Sequence, residues 1–190
     1  MEENIKSSKL VLHTCCAVCG AHLCELLKND FSEILIYFYN PNVHPKEEYE
    51  KRKEAGKKLA EIYSLEFVEG EYDDKNWFEL VRGLENEPEG GARCPICFEM
   101  RLKKTVQLAK ERGFTHFATT LAASPYKSEK IVDELAGKIA REFGLEYLST
   151  AAIGALDKKE IWQKTRELAK KFNFYHQNYC GCLFSQRKSI

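Results

Sequence analysis

Seven of the eight cysteines fall into three short motifs, Cys15-Cys16-x-x-Cys19, Cys94-x-x-Cys97 and Cys180-x-Cys182. A two-residue gap lets both thiolates of a turn face one metal, and such pairs are usual donors to zinc and iron–sulfur centres. A zinc ribbon places its two knuckles about 15–20 residues apart. Here 74 residues separate Cys19 from Cys94. Only a folded domain brings these pairs together, which points to a cofactor site more than to a structural staple. A tetrahedral zinc needs four ligands and would leave three of the seven thiols over. A thiolate-held cubane together with a second metal or a dithiol uses the surplus better.

Cys180-Gly181-Cys182 admits two chemistries. A disulfide across one residue closes a small strained ring that is easily reduced, and Gly181 relaxes the backbone restriction. Alternatively, both thiolates ligate metal. Cys24 stands outside the motifs, among Leu23 and Leu27 in an apolar helix-like stretch, and reads as a core thiol.

These residues have to be positioned by a chain of 190 residues, the size of one ordinary domain. Charged residues balance at 29 against 29, so no global field announces a polyanionic partner. The first nine residues are polar, without an apolar export segment, and the longest apolar or aromatic run is Ile34–Tyr39. A cytoplasmic protein without a membrane segment is expected, and in a reducing compartment clustered cysteines read as ligands or redox groups.

Hydrophobic periodicity predicts alternating elements. Short strands are expected at Leu10–Leu12, Glu33–Tyr39, Leu65–Val68, His116–Thr119 and Glu146–Leu148. Between them lie helical stretches at Ala21–Leu27, Pro45–Tyr63, Pro95–Arg112 and around Ile131–Phe143, which Gly144 closes. Asp73 or Asp74 caps a short helix carrying Trp77, Phe78, Leu80 and Val81, and Asp157-x-x-Glu160 resembles a capping box for a last helix. Glu85–Arg93, with Pro88, Gly90 and Gly91, is a loop. The alternation implies an α/β fold, a parallel sheet with helices on both faces. Ligands of such sheets collect at the carboxyl ends of the strands, where the first cysteine motif lies.

Five blocks together resemble the cobalamin-independent epoxyqueuosine reductases of the QueH family. They are His13–Cys19, Tyr39–Pro45 with Glu48-Tyr49, Arg93–Cys97 with Arg101-Leu102, Thr119–Leu121 with Ser124-Pro125, and Tyr179–Ser185. They span nearly the whole chain in family order. The resemblance implies the last step of queuosine synthesis, reduction of epoxyqueuosine at the wobble position of tRNA by iron–sulfur chemistry. It implies a [4Fe-4S] cluster on Cys15, Cys16, Cys94 and Cys97, with Cys19 able to displace one of these or to hold a second, mononuclear iron. It implies a redox-active pair in Cys180 and Cys182, and an external electron donor. Asn40, Asn42, Arg93, Arg101, Thr120 and Ser124 become candidates for substrate binding, and His44 and Tyr49 for general acids, with Glu99 near the ligand motif. The strand order is similar to the PP-loop (HUP) fold, and residues 1–190 are expected to form one catalytic domain whose tail, from about 173 to 190, returns to the site. Two stretches depart from the family. Tyr175-His176-Gln177 stands where Tyr-Arg-Gln is expected, and 151–159 lacks an aromatic-acidic character.

Basic residues at Lys103, Lys104, Lys110 and Arg112, and at Lys158, Lys159, Lys164, Lys170 and Lys171, are candidates for phosphate contact, although a charge-rich helix face is more often merely solvated. Three other functions compete. A PP-loop tRNA thiolation enzyme needs a Gly-rich phosphate loop where this chain reads Thr14–Gly20. A zinc-stabilised RNA-binding module would be colourless. A thiol–disulfide exchange protein would turn over without metal.

Overall fold

The computed structural model describes residues 7–124, 126–154 and 158–186. Five strands, β1 (Lys9–His13), β2 (Glu33–Phe38), β3 (Glu66–Glu69), β4 (His116–Thr119) and β5 (Glu146–Tyr147), form one parallel sheet in the order β3-β2-β1-β4-β5. The helices are α1 (Ala17–Leu27), α2 (Lys46–Tyr63), α3 (Asp74–Leu80), α4 (Arg93–Glu111), α5 (Glu129–Phe143), α6 (Thr150–Gly154) and α7 (Lys158–Lys171), and Leu183–Ser185 form a 3₁₀ turn. The α/β architecture therefore matches the expectation from periodicity.

Both faces of the sheet are buried, and alternation still sorts the side chains. Leu10, Leu12, Ile34, Ile36 and Ala118 pack with α1, α2 and α7 through Leu23, Leu59 and Ile161. Val11, Leu35, Tyr37 and Phe117 pack with α4 and α5 through Leu102, Val106, Val132 and Ile139. Each fully buried Leu or Ile contributes about 1.5–3 kcal/mol by leaving water, so the central strand is held from both sides. Cys24 is fully buried in the first of these layers, as its surroundings in the sequence imply.

Local chemistry sets the helix ends. Ser128 accepts from the Ile131 amide at the start of α5, and Gly144 closes that helix at φ +69°. Asp73 caps α3 through the Asn76 amide. Two helices begin earlier than the periodicity suggests. Helix α1 starts at Ala17 because the Cys16 sulfur acts as its N-cap, accepting from the Cys19 amide at 3.4 Å. Helix α4 starts at Arg93, which puts Cys94 and Cys97 in its first turns. The expected capping residue Asp157 lies outside the described residues.

The chain runs from β1 to β2 on one side of the sheet and crosses after β3 to β4 on the other. The strand order therefore reverses between β1 and β4, where open α/β sheets bind ligands. Among the described residues, no helix is long and apolar enough to cross a membrane.

Candidate redox site at the strand ends

The turns leaving β1 and β4 meet. His13 Nδ1 lies 2.8 Å from the Thr119 hydroxyl, and its Nε2 lies 3.3 Å from the Tyr39 carbonyl, so the ring ties three strand ends together. Burial, reinforced by the Arg101 charge, lowers the His13 pKa to about 3 and keeps the ring neutral. One residue further on, Thr120 Oγ1 accepts from the Cys15 amide at 3.1 Å and touches Cys15 Sγ at 3.3 Å.

Seven thiols, all free, group around two adjoining recesses. Cys15, Cys16 and Cys19 form a triad within hydrogen-bonding reach of one another. The thiols of Cys16 and Cys19 hydrogen-bond to Cys15 and hold its pKa well below the usual thiol range, with help from Lys127 and Arg101. The same sharing pushes Cys16 up to about 11 and raises Cys19. Cys15 therefore carries the triad's negative charge. Cys15 and Cys19 line the larger recess, of about 1020 Å³ with its open mouth. Cys16 is instead held from the tail, by Gln177 Nε2 at 2.7 Å.

The second, narrower recess, of about 550 Å³ only when its open mouth is included, is lined by Cys94, Cys97, Cys180 and Cys182. Burial raises both Cys94 and Cys97. The Gly90 amide donates to Cys94 Sγ at 3.2 Å, while Arg101 and Trp77 partly offset the burial of Cys97. Cys182 drops to about 6, chiefly because Cys180 hydrogen-bonds to it, with Ser185 and Arg93 assisting. Cys180 belongs to both recesses. Lys127 also borders both, and although burial lowers its pKa, its attraction to the surrounding cysteines, Cys15 foremost, outweighs that and raises it. Among the described residues, no three donors already converge on one metal position. The donor set is nonetheless entirely sulfur, the chemistry that iron–sulfur clusters require.

The other sequence-predicted residues divide. Asn42 and Arg101 line the second recess, and each leaves a buried polar atom without a partner, Asn42 Oδ1 and Arg101 Nε; Trp77 beside them turns its N–H toward the Cys97 thiol. Arg93 lines it too and also leaves its Nε without a partner, while its Nη1 donates to the carbonyls of Leu84, Glu85 and Glu87, which pins the preceding loop. Asn40 is fully buried and braces the site from behind, donating to the Thr14 carbonyl and accepting from Arg101 at 2.6 Å. Ser124 borders the larger recess.

His44 packs behind Trp77 with Nδ1 at 2.9 Å from the Asn42 carbonyl, and burial lowers its pKa. Tyr49 does not join this group. It is fully buried among Phe38, Val43 and Tyr72, and its hydroxyl donates to Glu69 at 2.9 Å, so it lines neither recess. Glu99 is paired with Lys103 at 2.7 Å. On the same helix Lys110 donates to the Phe143 carbonyl, and just past its end Arg112 pairs with Glu66, so these cations are engaged on the surface.

A family model described as epoxyqueuosine reductase QueH matches residues 10–188. The epoxyqueuosine reductase QueH of Histophilus somni is 37% identical over 184 residues, covering 95% of this chain and 73% of that protein. That of Acinetobacter baylyi is 37% identical over 188 residues (95% and 82%), and that of Thermotoga maritima 35% over 181 (93% and 89%). Among solved structures, the U34-tRNA thiolase NcsA from Methanococcus maripaludis with its [4Fe-4S] cluster superposes with a TM-score of 0.58. That match has 11% identity and covers 92% of this chain and 60% of that one, a likeness of fold. The sequence match runs from β1 through the Cys180-Gly181-Cys182 segment and so takes in every thiol of both recesses; the chain belongs to the epoxyqueuosine reductase QueH family.

Proposed function

We propose that this chain reduces epoxyqueuosine to queuosine at the wobble position of tRNA, as an oxidoreductase acting in the last step of queuosine synthesis. The observation that carries the reading is a family match extending over all seven clustered thiols. Converting the epoxide to an alkene consumes two electrons and two protons and releases the oxygen as water. A non-catalytic zinc module would have no use for the dithiol or for the unpartnered polar atoms of the second recess.

In this reading the described residues act as one catalytic domain, with the tail returning to complete the site. Cys15, Cys16, Cys94 and Cys97 would hold a [4Fe-4S] cluster, and Cys19 would be available to a second, mononuclear iron. When bound, such a cluster supplies electrons one at a time at low potential. The protein's part is to aim the thiolates. Thr120 fixes Cys15, Gln177 fixes Cys16, and the Gly90 amide fixes Cys94. Cys180 and Cys182 would complete the electron count. Oxidation of this dithiol to a disulfide releases two electrons and two protons, and an external donor then reduces it again. Asn42 and Arg101 offer one acceptor and one donor to a polar substrate. The wobble base lies in a single-stranded loop, so little unpairing precedes its entry.

Anaerobic purification followed by iron, sulfide and zinc analysis, with a visible spectrum before and after dithionite, tests the cofactor. Conversion of tRNA bearing epoxyqueuosine tests the reaction. About four irons with matching sulfide, a bleachable brown chromophore and formation of queuosine support the reading. Zinc alone after anaerobic reconstitution, with no queuosine formed, overturns it.

A further inference from the structure

Arg52 takes no part in the chemistry above, yet it is only 2% exposed in the middle of α2. A guanidinium at that depth is costly unless every donor direction is used. Its Nε donates to Glu48 Oε1 at 2.7 Å, one helical turn back, and Glu48 Oε2 accepts from the Tyr175 hydroxyl at 2.6 Å. The other two nitrogens leave the helix. Nη1 donates to the Cys180 carbonyl and Nη2 to the Tyr179 carbonyl, each at 3.0 Å. The next carbonyl, that of Gly181, accepts from the His44 amide at 2.8 Å, and the Tyr179 hydroxyl returns to the His44 carbonyl.

Three successive carbonyls across the CxC segment are thus gripped from α2 and the turn before it. Gly181 makes the approach possible. Its φ is +101°, and a Cβ there would lie 2.8 Å from Val43 Cγ2 and 2.9 Å from Arg52 Nη1. Arg52 also borders the larger recess, beside Cys15 and Cys180.

We infer that Arg52 is a positioning residue that clamps the Cys180–Cys182 segment on the wall between the two recesses, with Glu48 and Tyr175 holding its guanidinium in register. A planar fork reaches two carbonyls and a carboxylate at once; a lysine ammonium on a flexible stem does not. The clamp fixes where Cys180 stands relative to both groups of thiols. The inference deepens the proposed reduction, but its main readout is independent of it.

The test uses reduced, metal-free, full-length protein. Alkylation of each cysteine by iodoacetamide is timed by mass spectrometry, with fully buried Cys24 reporting global opening. Arg52→Lys keeps the charge opposite Glu48 and loses the fork. Gly181→Ala leaves the ion pair intact and blocks the seat. Both are expected to raise labelling of Cys180 and Cys182 at least tenfold while Cys24 changes less than twofold. Turnover on tRNA should fall tenfold or more with KM little altered. Labelling of Cys180 and Cys182 within twofold of wild type in both variants, or rising only in step with Cys24, overturns the clamp. If Arg52→Lys opens Cys24, Gly181→Ala decides alone. A wild-type protein that reduces no epoxyqueuosine would sink the functional reading and leave the labelling test standing.

Discussion

Replacing Thr120 by valine removes one oxygen from the protein and barely changes its shape. The hydroxyl is fully buried and is the acceptor for the Cys15 amide at 3.1 Å. Valine leaves that buried N–H unpaired, which costs about 1–3 kcal/mol. Thr105 provides the control. It is equally buried, but its hydroxyl donates at 2.9 Å to the Arg101 carbonyl, which lies inside α4 and keeps its helical partner. Thr105→Val should therefore stay within about 0.5 kcal/mol of wild type. In a domain of this size one kcal/mol moves the melting temperature by about 2–4 °C. Thermal unfolding of the metal-free proteins, followed by circular dichroism in anaerobic reducing buffer, should show Tm lowered by about 2–12 °C for Thr120→Val. For Thr105→Val the shift should not exceed about 2 °C. If Cys15 holds the proposed cluster, Thr120→Val should also bind less iron on reconstitution, because Cys15 is no longer aimed. Equal shifts for the two variants would refute the claim that Thr120 anchors the cysteine turn.

Two further outcomes can be measured directly. Alkylation of Cys182 in the metal-free protein should rise with pH to half its maximum near 6, since the Cys180 thiol holds the Cys182 thiolate. Cys180→Ala should move that midpoint toward the ordinary value of about 8.5, and a wild-type midpoint at or above 8 would contradict the assignment. Tyr126, 68% exposed, borders both recesses with Trp162 edge-on to it. If unpaired bases of the tRNA loop stack there, Tyr126→Ala should weaken binding of an anticodon stem-loop roughly 5- to 100-fold, and Tyr126→Phe should bind like wild type. Equal binding by the alanine variant would take this ring out of the RNA interface.

The elements were legible because their signals are local. Runs such as EILIYF, a Ser128 cap and a terminal Gly144 act within a few residues of themselves. The thiols were legible as clusters for the same reason. Their partners were not, because those contacts close over long separations. Thr120 meets Cys15 across 105 positions, and Gln177 meets Cys16 across 161. Arg52 and Glu48, four apart on a charged helix, read in the sequence like a solvated surface pair; only the tail docked over them makes the pair buried. Tyr49 beside them illustrates the converse. Its phenol suggests proton transfer, but the fold uses it as packing. The early start of α1 also escaped periodicity, since a cysteine is an unusual helix cap.

The reach of the tail has a consequence for how the protein is made. Gln177 and the CxC segment leave the ribosome some 160 residues after Cys16. At about 5–20 residues per second, that is a delay of roughly 8–30 s. During it Cys15, Cys16 and Cys19 lack the side chain that shelters Cys16 and the wall that separates the two recesses. Oxidation or capture of a stray metal ion in that interval would trap these cysteines before the tail covers them. If the site holds the proposed cluster, its shelter is completed only once the tail has been made, and cells growing under oxidative or metal stress should accumulate protein oxidised or mismetallated at Cys15, Cys16 and Cys19.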